Sequence, residues 1–178
     1  MGKLIFILGG ARAGKSSFAL ELAQKSGKRV TFIATATPMD SEMRKRIKNH
    51  KNTRPRNWKT IEVTNNLDKK IDQEKNRMVL IDCLTIYIYH LMKNLNQDKI
   101  LNQVKKIIRV IKKSNSKVIV VSNEVGSGIV PNNKLSRDYR DVLGKVNQIF
   151  TQAADEFYLM FAGFPIDIKK LYEKLEKL

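Results

Sequence analysis

Eight residues that follow directly on an apolar run constrain this chain more than anything else in it. Gly9-Gly10-Ala11-Arg12-Ala13-Gly14-Lys15-Ser16 fits the pattern G-x-x-x-x-G-K-[ST]. The run before it, Lys3-Leu-Ile-Phe-Ile-Leu, is apolar and β-branched, which predicts a buried strand stopped by Gly9-Gly10. Ser16 to Gln24 behind it reads as a helix closing near Gly27. In that setting the glycines let backbone N–H groups turn inward around phosphate oxygens, and the helix aims its positive end at them. Lys15 then reaches the β- and γ-phosphates, and the Ser16 hydroxyl binds Mg²⁺.

The rest of the chain repeats the alternation. Strands are predicted at Arg29 to Ala36, Trp58 to Val63, Met78 to Asp82, Lys117 to Ser122 and Phe157 to Ala162. Helices are predicted from Asp40 or Ser41 to about His50, Leu84 to Leu95, Asp98 to Lys113 and Asp138 to Ala154, with a charged helix closing the chain. The helix over 98–113 puts Ile100, Leu101, Val104, Ile107, Ile108 and Ile111 on one face. Continuous apolar strands separated by helices imply an α/β fold with a mostly parallel central sheet flanked by helices. No linker, repeat or low-complexity tract interrupts the 178 residues, so one catalytic domain over 1–178 is expected.

In such a sheet, ligands bind beyond the carboxyl ends of the strands. Asp82 closes the apolar run Met78-Val-Leu-Ile, where an acid suits either the Mg²⁺ shell or the cap of the next helix. Ala34-Thr-Ala-Thr-Pro, Asp82-Cys-Leu-Thr and Ser122-Asn-Glu-Val-Gly-Ser-Gly-Ile-Val-Pro should converge on the glycine loop. Two histidines are present. His90, in Tyr87-Ile-Tyr-His-Leu, reads as a packed or capping residue. His50 shares a helical face with Met43 and with Arg46 or Ile47. It leads into Lys51-Asn-Thr-Arg-Pro-Arg-Asn-Trp, and from Arg44 to Lys59 there is no acid. An imidazole amid cations is expected to be neutral and nucleophilic. Beside a triphosphate it is a covalent acceptor of a nucleotidyl group, a phosphate ligand, or a plain surface histidine.

Composition narrows the setting. The net charge is +17, yet the lysines and arginines are spread evenly along the chain, as on a solvated basic surface. One cysteine, Cys83, excludes an internal disulfide and fits a reducing compartment. With no signal peptide pattern and no apolar run long enough to cross a bilayer, a cytoplasmic protein without a membrane span is expected.

These motifs together resemble one family, the adenosylcobinamide kinase / adenosylcobinamide-phosphate guanylyltransferases of cobalamin assembly. The likeness covers nearly the whole chain. It runs through Ile33-Ala-Thr-Ala, Asp40-x-Glu42-Met43-x-x-Arg46-Ile47-x-x-His50, Arg54-Pro-x-x-Trp58-x-Thr60-x-Glu62 and Asp82-Cys-Leu-Thr. It continues through Ser122-Asn-Glu-Val-Gly-Ser-Gly-Ile-Val-Pro, Arg140-Asp-x-x-Gly144-x-x-Asn147-Gln and Ala154-Asp-Glu. The resemblance implies a RecA-type P-loop NTPase fold, assembled as a homotrimer. It implies phosphorylation of adenosylcobinamide by ATP or GTP, then transfer of GMP from GTP to that phosphate through a GMP–histidine intermediate. By the same resemblance His50 is the nucleophile, with Lys15 also catalytic. Nucleotide contacts fall to Gly9, Gly10, Ala11, Arg12, Ala13, Gly14, Lys15, Ser16, Ala34, Thr35, Ala36, Lys51, Asn52, Thr53, Arg54, Glu62 and Asp82, with Ser16 and Asp82 on Mg²⁺. A carboxylate at Glu62 can accept from the N1–H and amine of guanine.

Departures are few. Ala13 replaces a serine common in this loop, and Asp82 stands where some relatives have glutamate. The basic surface is unusual for the family. Two rival readings remain: a monofunctional P-loop small-molecule kinase, and a basic nucleic-acid-binding ATPase module. The evenly spread lysines, and the lack of an aromatic-interleaved basic groove, count against a nucleic-acid partner.

Overall fold

The computed structural model describes residues 1–38, 40–75 and 77–176, and Arg46 by its backbone alone. The N-terminal apolar run forms β1 (Lys3–Gly9), and its period-2 alternation sets the layers of the molecule. Ile5 and Ile7 face one side, where they pack with Ala19 and Ala23 of α1 (Lys15–Lys25). Leu4, Phe6 and Leu8 face the other side, where four helices gather.

Those four are α3 (Leu67–Gln73), α4 (Leu84–Met92), α5 (Gln97–Lys113) and α6 (Lys134–Ala153). Before α3 come β2 (Val30–Ala34), α2 (Ser41–Asn52) and β3 (Lys59–Glu62), and between the four helices run β4 (Met78–Asp82) and β5 (Lys117–Asn123). The chain then adds β6 (Glu156–Phe161), β7 (Phe164–Asp167) and α7 (Ile168–Leu175). The seven strands form one sheet in the order β3-β2-β4-β5-β1-β6-β7. Every pairing is parallel except the β6–β7 hairpin. A parallel sheet covered on both faces accounts for the nearly unbroken burial of β1, β2, β4 and β5.

The stripe expected on 98–113 is borne out. Ile100, Val104, Ile107 and Ile111 are buried on α5, while Leu101 and Ile108 pack at its margin. Each full burial contributes roughly 1.5–3 kcal/mol, so this face alone anchors α5 to the sheet. Two elements escaped the sequence reading. α3 offers only Leu67 and Ile71 to the core, a single turn of signal. β7 carries Pro165 on an exposed edge, where a missing N–H breaks no interior ladder. α6 also starts earlier than its apolar face suggests, because the Asn133 side chain accepts from Ser136 N–H at 2.8 Å. Among the described residues no helix is long and apolar enough to cross a membrane.

Candidate active site

The carboxyl ends of β1, β2, β4 and β5 open on a cavity of about 590 Å³. Its floor is the predicted phosphate loop. Ala11, Arg12, Ala13, Gly14, Lys15 and Ser16 all line it, joined by Ser17. Gly14 has φ of 90°, a left-handed conformation that glycine adopts without strain. Gly9 is needed for a different reason: a Cβ there would lie 2.5 Å from the Met160 carbonyl oxygen. Gly9 thus shapes the loop from behind, and neither Gly9 nor Gly10 lines the cavity.

Neighbours fix this floor. The Glu124 N–H donates to Gly9 O at 3.0 Å, and the Gly163 N–H donates to Ala13 O at 3.2 Å. The start of α1 has no side-chain cap, so its first amides stay directed at the cavity. Lys15 is buried and its ammonium donates to Gly10 O at 2.5 Å. Burial lowers its pKa below the ordinary lysine range, against the opposing pull of Cys83 and Asp82.

Asp82 ends β4 beside Lys15 and Ser16 and faces the cavity. The N-cap of α4 is Cys83, without a side-chain cap bond, so the capping role weighed for Asp82 falls to its neighbour's backbone. Cys83 lines the cavity too, but burial pushes its thiol up to about 11, so it stays protonated and is no nucleophile. Among the described residues no three His, Cys, Asp or Glu side chains cluster as a metal site. Ser16 and Asp82 both line the cavity, and two protein oxygens are enough for Mg²⁺, which completes its shell with phosphates and water.

The far wall is α2 and the strand ends beside it. Met43, Ile47, His50, Lys51 and Arg54 all line the cavity, the spacing of one helical face continued past the helix end. The sequence put His50 on that face. Lys51 Nζ holds Glu62 Oε1 at 2.7 Å, so the candidate guanine reader is at present paired with a lysine. Arg54 lies with its guanidinium 3.6 Å from the Phe32 ring centroid. Its Nε and Nη1 are buried without a hydrogen-bond partner. Desolvation lowers its pKa, opposed by Asp82 and Glu62. An arginine held over an aromatic ring, with two unpartnered N–H groups, beside a phosphate loop is a ready anion site.

Ala34 and Ala36 line the cavity as expected, but Thr35 between them does not. It is 1% exposed, and its hydroxyl both donates to Cys83 O and accepts from Cys83 N–H. Asn52 and Thr53 also stay out of the lining; the Thr53 hydroxyl donates to His50 O at 3.0 Å and closes α2. His90 is packed elsewhere, as read: half-buried, 3.4 Å from Thr37 Oγ1, with burial lowering its pKa. Of the segment Ser122 to Pro131, expected to converge on the glycine loop, Asn123 reaches the lining; Ile86 and Val121 line it too and were not assigned from sequence.

Comparison with known proteins agrees with this geometry. Residues 5–168 match the family model described as cobinamide kinase / cobinamide phosphate guanyltransferase. The bifunctional adenosylcobalamin biosynthesis protein CobU of Escherichia coli is 36% identical over 181 residues, covering 93% of this chain and 99% of that protein. The corresponding protein CobP of Pseudomonas aeruginosa is 36% identical over 165 residues, covering 92% and 95%. Among solved structures, the RadB recombinase superposes with a TM-score of 0.53 at 15% identity, over 89% of this chain and 74% of its own. A type III secretion ATPase superposes with a TM-score of 0.57 at 12% identity, over 98% and 54%. At such identities the two structures speak for the fold alone.

Proposed function

The chain belongs to the cobinamide kinase / cobinamide phosphate guanyltransferase family, and we propose that both reactions run at the single cavity over β1, β2, β4 and β5. It is an enzyme that phosphorylates adenosylcobinamide and then transfers GMP to the resulting phosphate. The observation that carries our reading of the site is that His50 shares one cavity with the phosphate loop.

In the kinase step the acceptor hydroxyl oxygen attacks the γ-phosphorus of ATP or GTP. The bond to the bridging oxygen breaks and a nucleoside diphosphate leaves. Loop amides and Lys15 hold the β- and γ-phosphates through this exchange. Mg²⁺, held by Ser16 and Asp82, would supply charge neutralisation on those phosphates. In the transferase step an imidazole nitrogen of His50 attacks the α-phosphorus of GTP. Pyrophosphate leaves and a phosphoramidate remains. An oxygen of the acceptor phosphate then attacks the same phosphorus, and the P–N electron pair returns to the imidazole. Arg54 offers its unpaired N–H groups to the charge at that phosphorus, and Glu62 exchanges Lys51 for the guanine edge.

We place the enzyme in the cytoplasm as a homotrimer. The exposed apolar face of Leu171, Tyr172 and Leu175 on α7 supports assembly, and sedimentation of the purified chain tests it. The deciding experiment for the site uses GTP labelled at the α-phosphorus, with Mg²⁺, followed by denaturation. Acid-labile, alkali-stable label on the wild type that disappears in His50→Ala supports the covalent route. Nucleotide binding with no label would leave a simple kinase.

A further inference from the structure

Three segments that the phosphate loop leaves unexplained meet beneath the cavity: Thr85 at the start of α4, Ser122-Asn123 at the end of β5, and Asn147 on α6. Thr85, Ser122 and Asn147 are buried, at 6%, 0% and 5% exposure. Val120 on β5 and Val142, Leu143 and Val146 on α6 belong to the buried apolar core, a setting in which polar groups are costly unless bonded. All three are bonded, and the bonds of Thr85 and Asn147 meet on the backbone of one residue. The Asn123 N–H donates to Thr85 Oγ1 at 2.9 Å. The Asn147 amide N–H donates to Asn123 O at 3.1 Å, while its oxygen accepts from Ser122 Oγ at 2.7 Å. Tyr139 adds a bond from its hydroxyl to Thr85 O at 3.1 Å.

The backbone of Asn123 is therefore gripped from both sides, and its own amide has no partner among the described residues. Asn123 is a residue of the cavity lining, with Lys15, Ser16 and Asp82. Topology says what it faces. β5 lies between β4, which ends in Asp82, and β1, which ends in the phosphate loop. Asn123 is in register with Gly9, about 4.8 Å away across one strand spacing. A residue between the metal-binding acid and the phosphate loop sits against the terminal phosphate, away from His50 on the α2 wall. A neutral amide donates to a phosphate oxygen at any working pH and loses no proton in doing so.

We propose that Asn123 is a catalytic residue of the kinase step, donating its side-chain N–H to a non-bridging oxygen of the γ-phosphoryl group. Thr85 and Asn147 are the positioning residues that hold it there. As the acceptor O–P bond forms and the bridging P–O bond breaks, charge moves toward the leaving diphosphate. The hydroxyl proton passes to an oxygen of the transferred group and then to solvent. The amide keeps that group in line throughout.

This inference rests on the two-reaction reading, and its test separates the two. Phosphorylation of adenosylcobinamide by saturating ATP and formation of GMP–His50 from GTP are measured on the same protein. In Asn123→Ala the kinase kcat should fall roughly 10²-fold. The nucleotide KM and the rate of His50 labelling should stay within about threefold. Asn123→Ser, which retains a short donor, should recover part of the kinase loss, and Asn147→Ala should reproduce the same one-sided loss in weaker form. Equal loss of both reactions, a change in KM alone, or wild-type kinase rates in Asn123→Ala would each overturn the proposal. A wild-type chain that labels His50 but does not phosphorylate adenosylcobinamide would overturn the kinase reading itself, and this inference with it.

Discussion

The two walls of the cavity are built on opposite principles. The phosphate-loop wall grows out of a fully buried strand, is tied to two neighbouring strand ends through backbone bonds, and offers mainly amides and a buried lysine. The α2 wall is a charged helix on which no described residue is buried. It is held by the Asp40 cap, the Thr53 bond at its end and the exposed Lys51–Glu62 pair. The rigid wall serves what both reactions share, the grip on the polyphosphate. The loosely held wall carries His50, the nucleophile we propose for only one of them. Elements with few buried contacts open at low free energy, so α2 is where the site can adapt.

The largest effect should come from the shared wall. Lys15→Ala should cost roughly 10³-fold in both kinase and His50-labelling rates. His50→Ala should leave the kinase rate intact. A kinase unaffected by Lys15→Ala would break the division between the walls. Next is Cys83, whose thiol is raised to about 11 by burial in the rigid wall. At pH 8 it should react with iodoacetamide roughly 10²-fold more slowly than a free cysteine. Alkylation at the rate of a free thiol would show that this wall opens freely. Smaller still, Arg54→Lys should slow His50 labelling roughly tenfold and leave the kinase rate nearly unchanged. An ammonium lacks the delocalised guanidinium that lies over Phe32 and cannot present two parallel donors.

How much of this was legible in sequence follows the same line. β1, β4 and β5 were plain because continuous apolar runs leave little choice, and the stripe on α5 was plain because it lasts about three turns. α3 and β7 were not, since Leu67 with Ile71 is too short a pattern and Pro165 argues against a strand. In the site, the glycine loop and the Met43–Ile47–His50 face could be read because each depends on local spacing. Thr35, Asn52 and Thr53, taken with their neighbours as contacts by resemblance, do not line the cavity, because a run of residues does not share one direction. The bonds from Asn147 and Thr85 to Asn123 span 24 and 38 residues. They depend on how α4 and α6 lie over β5, which no local pattern encodes. Phe32 beneath Arg54 is hidden likewise, in the pairing of neighbouring strands.

The mildest perturbation probes the comparison most directly. Asp40 Oδ1 accepts from Met43 N–H at 2.7 Å and caps α2 at the end remote from His50. Asp40 itself lies outside the cavity lining, so Asp40→Ala removes only the cap bond to the Met43 N–H and leaves every lining side chain in place. It should destabilise α2 by about 1 kcal/mol, a shift of roughly fivefold in its opening equilibrium. Amide exchange measures this. Protection should fall about fivefold over α2 and stay unchanged over β1 and α1, because those amides rely on burial that the cap does not influence. With α2 more often open, His50 labelling should slow by no more than a similar factor, and phosphoryl transfer should hold its rate. Equal loss of protection in both walls would mean that they open as one unit, and the loose helix would then have no independence to lend the second reaction.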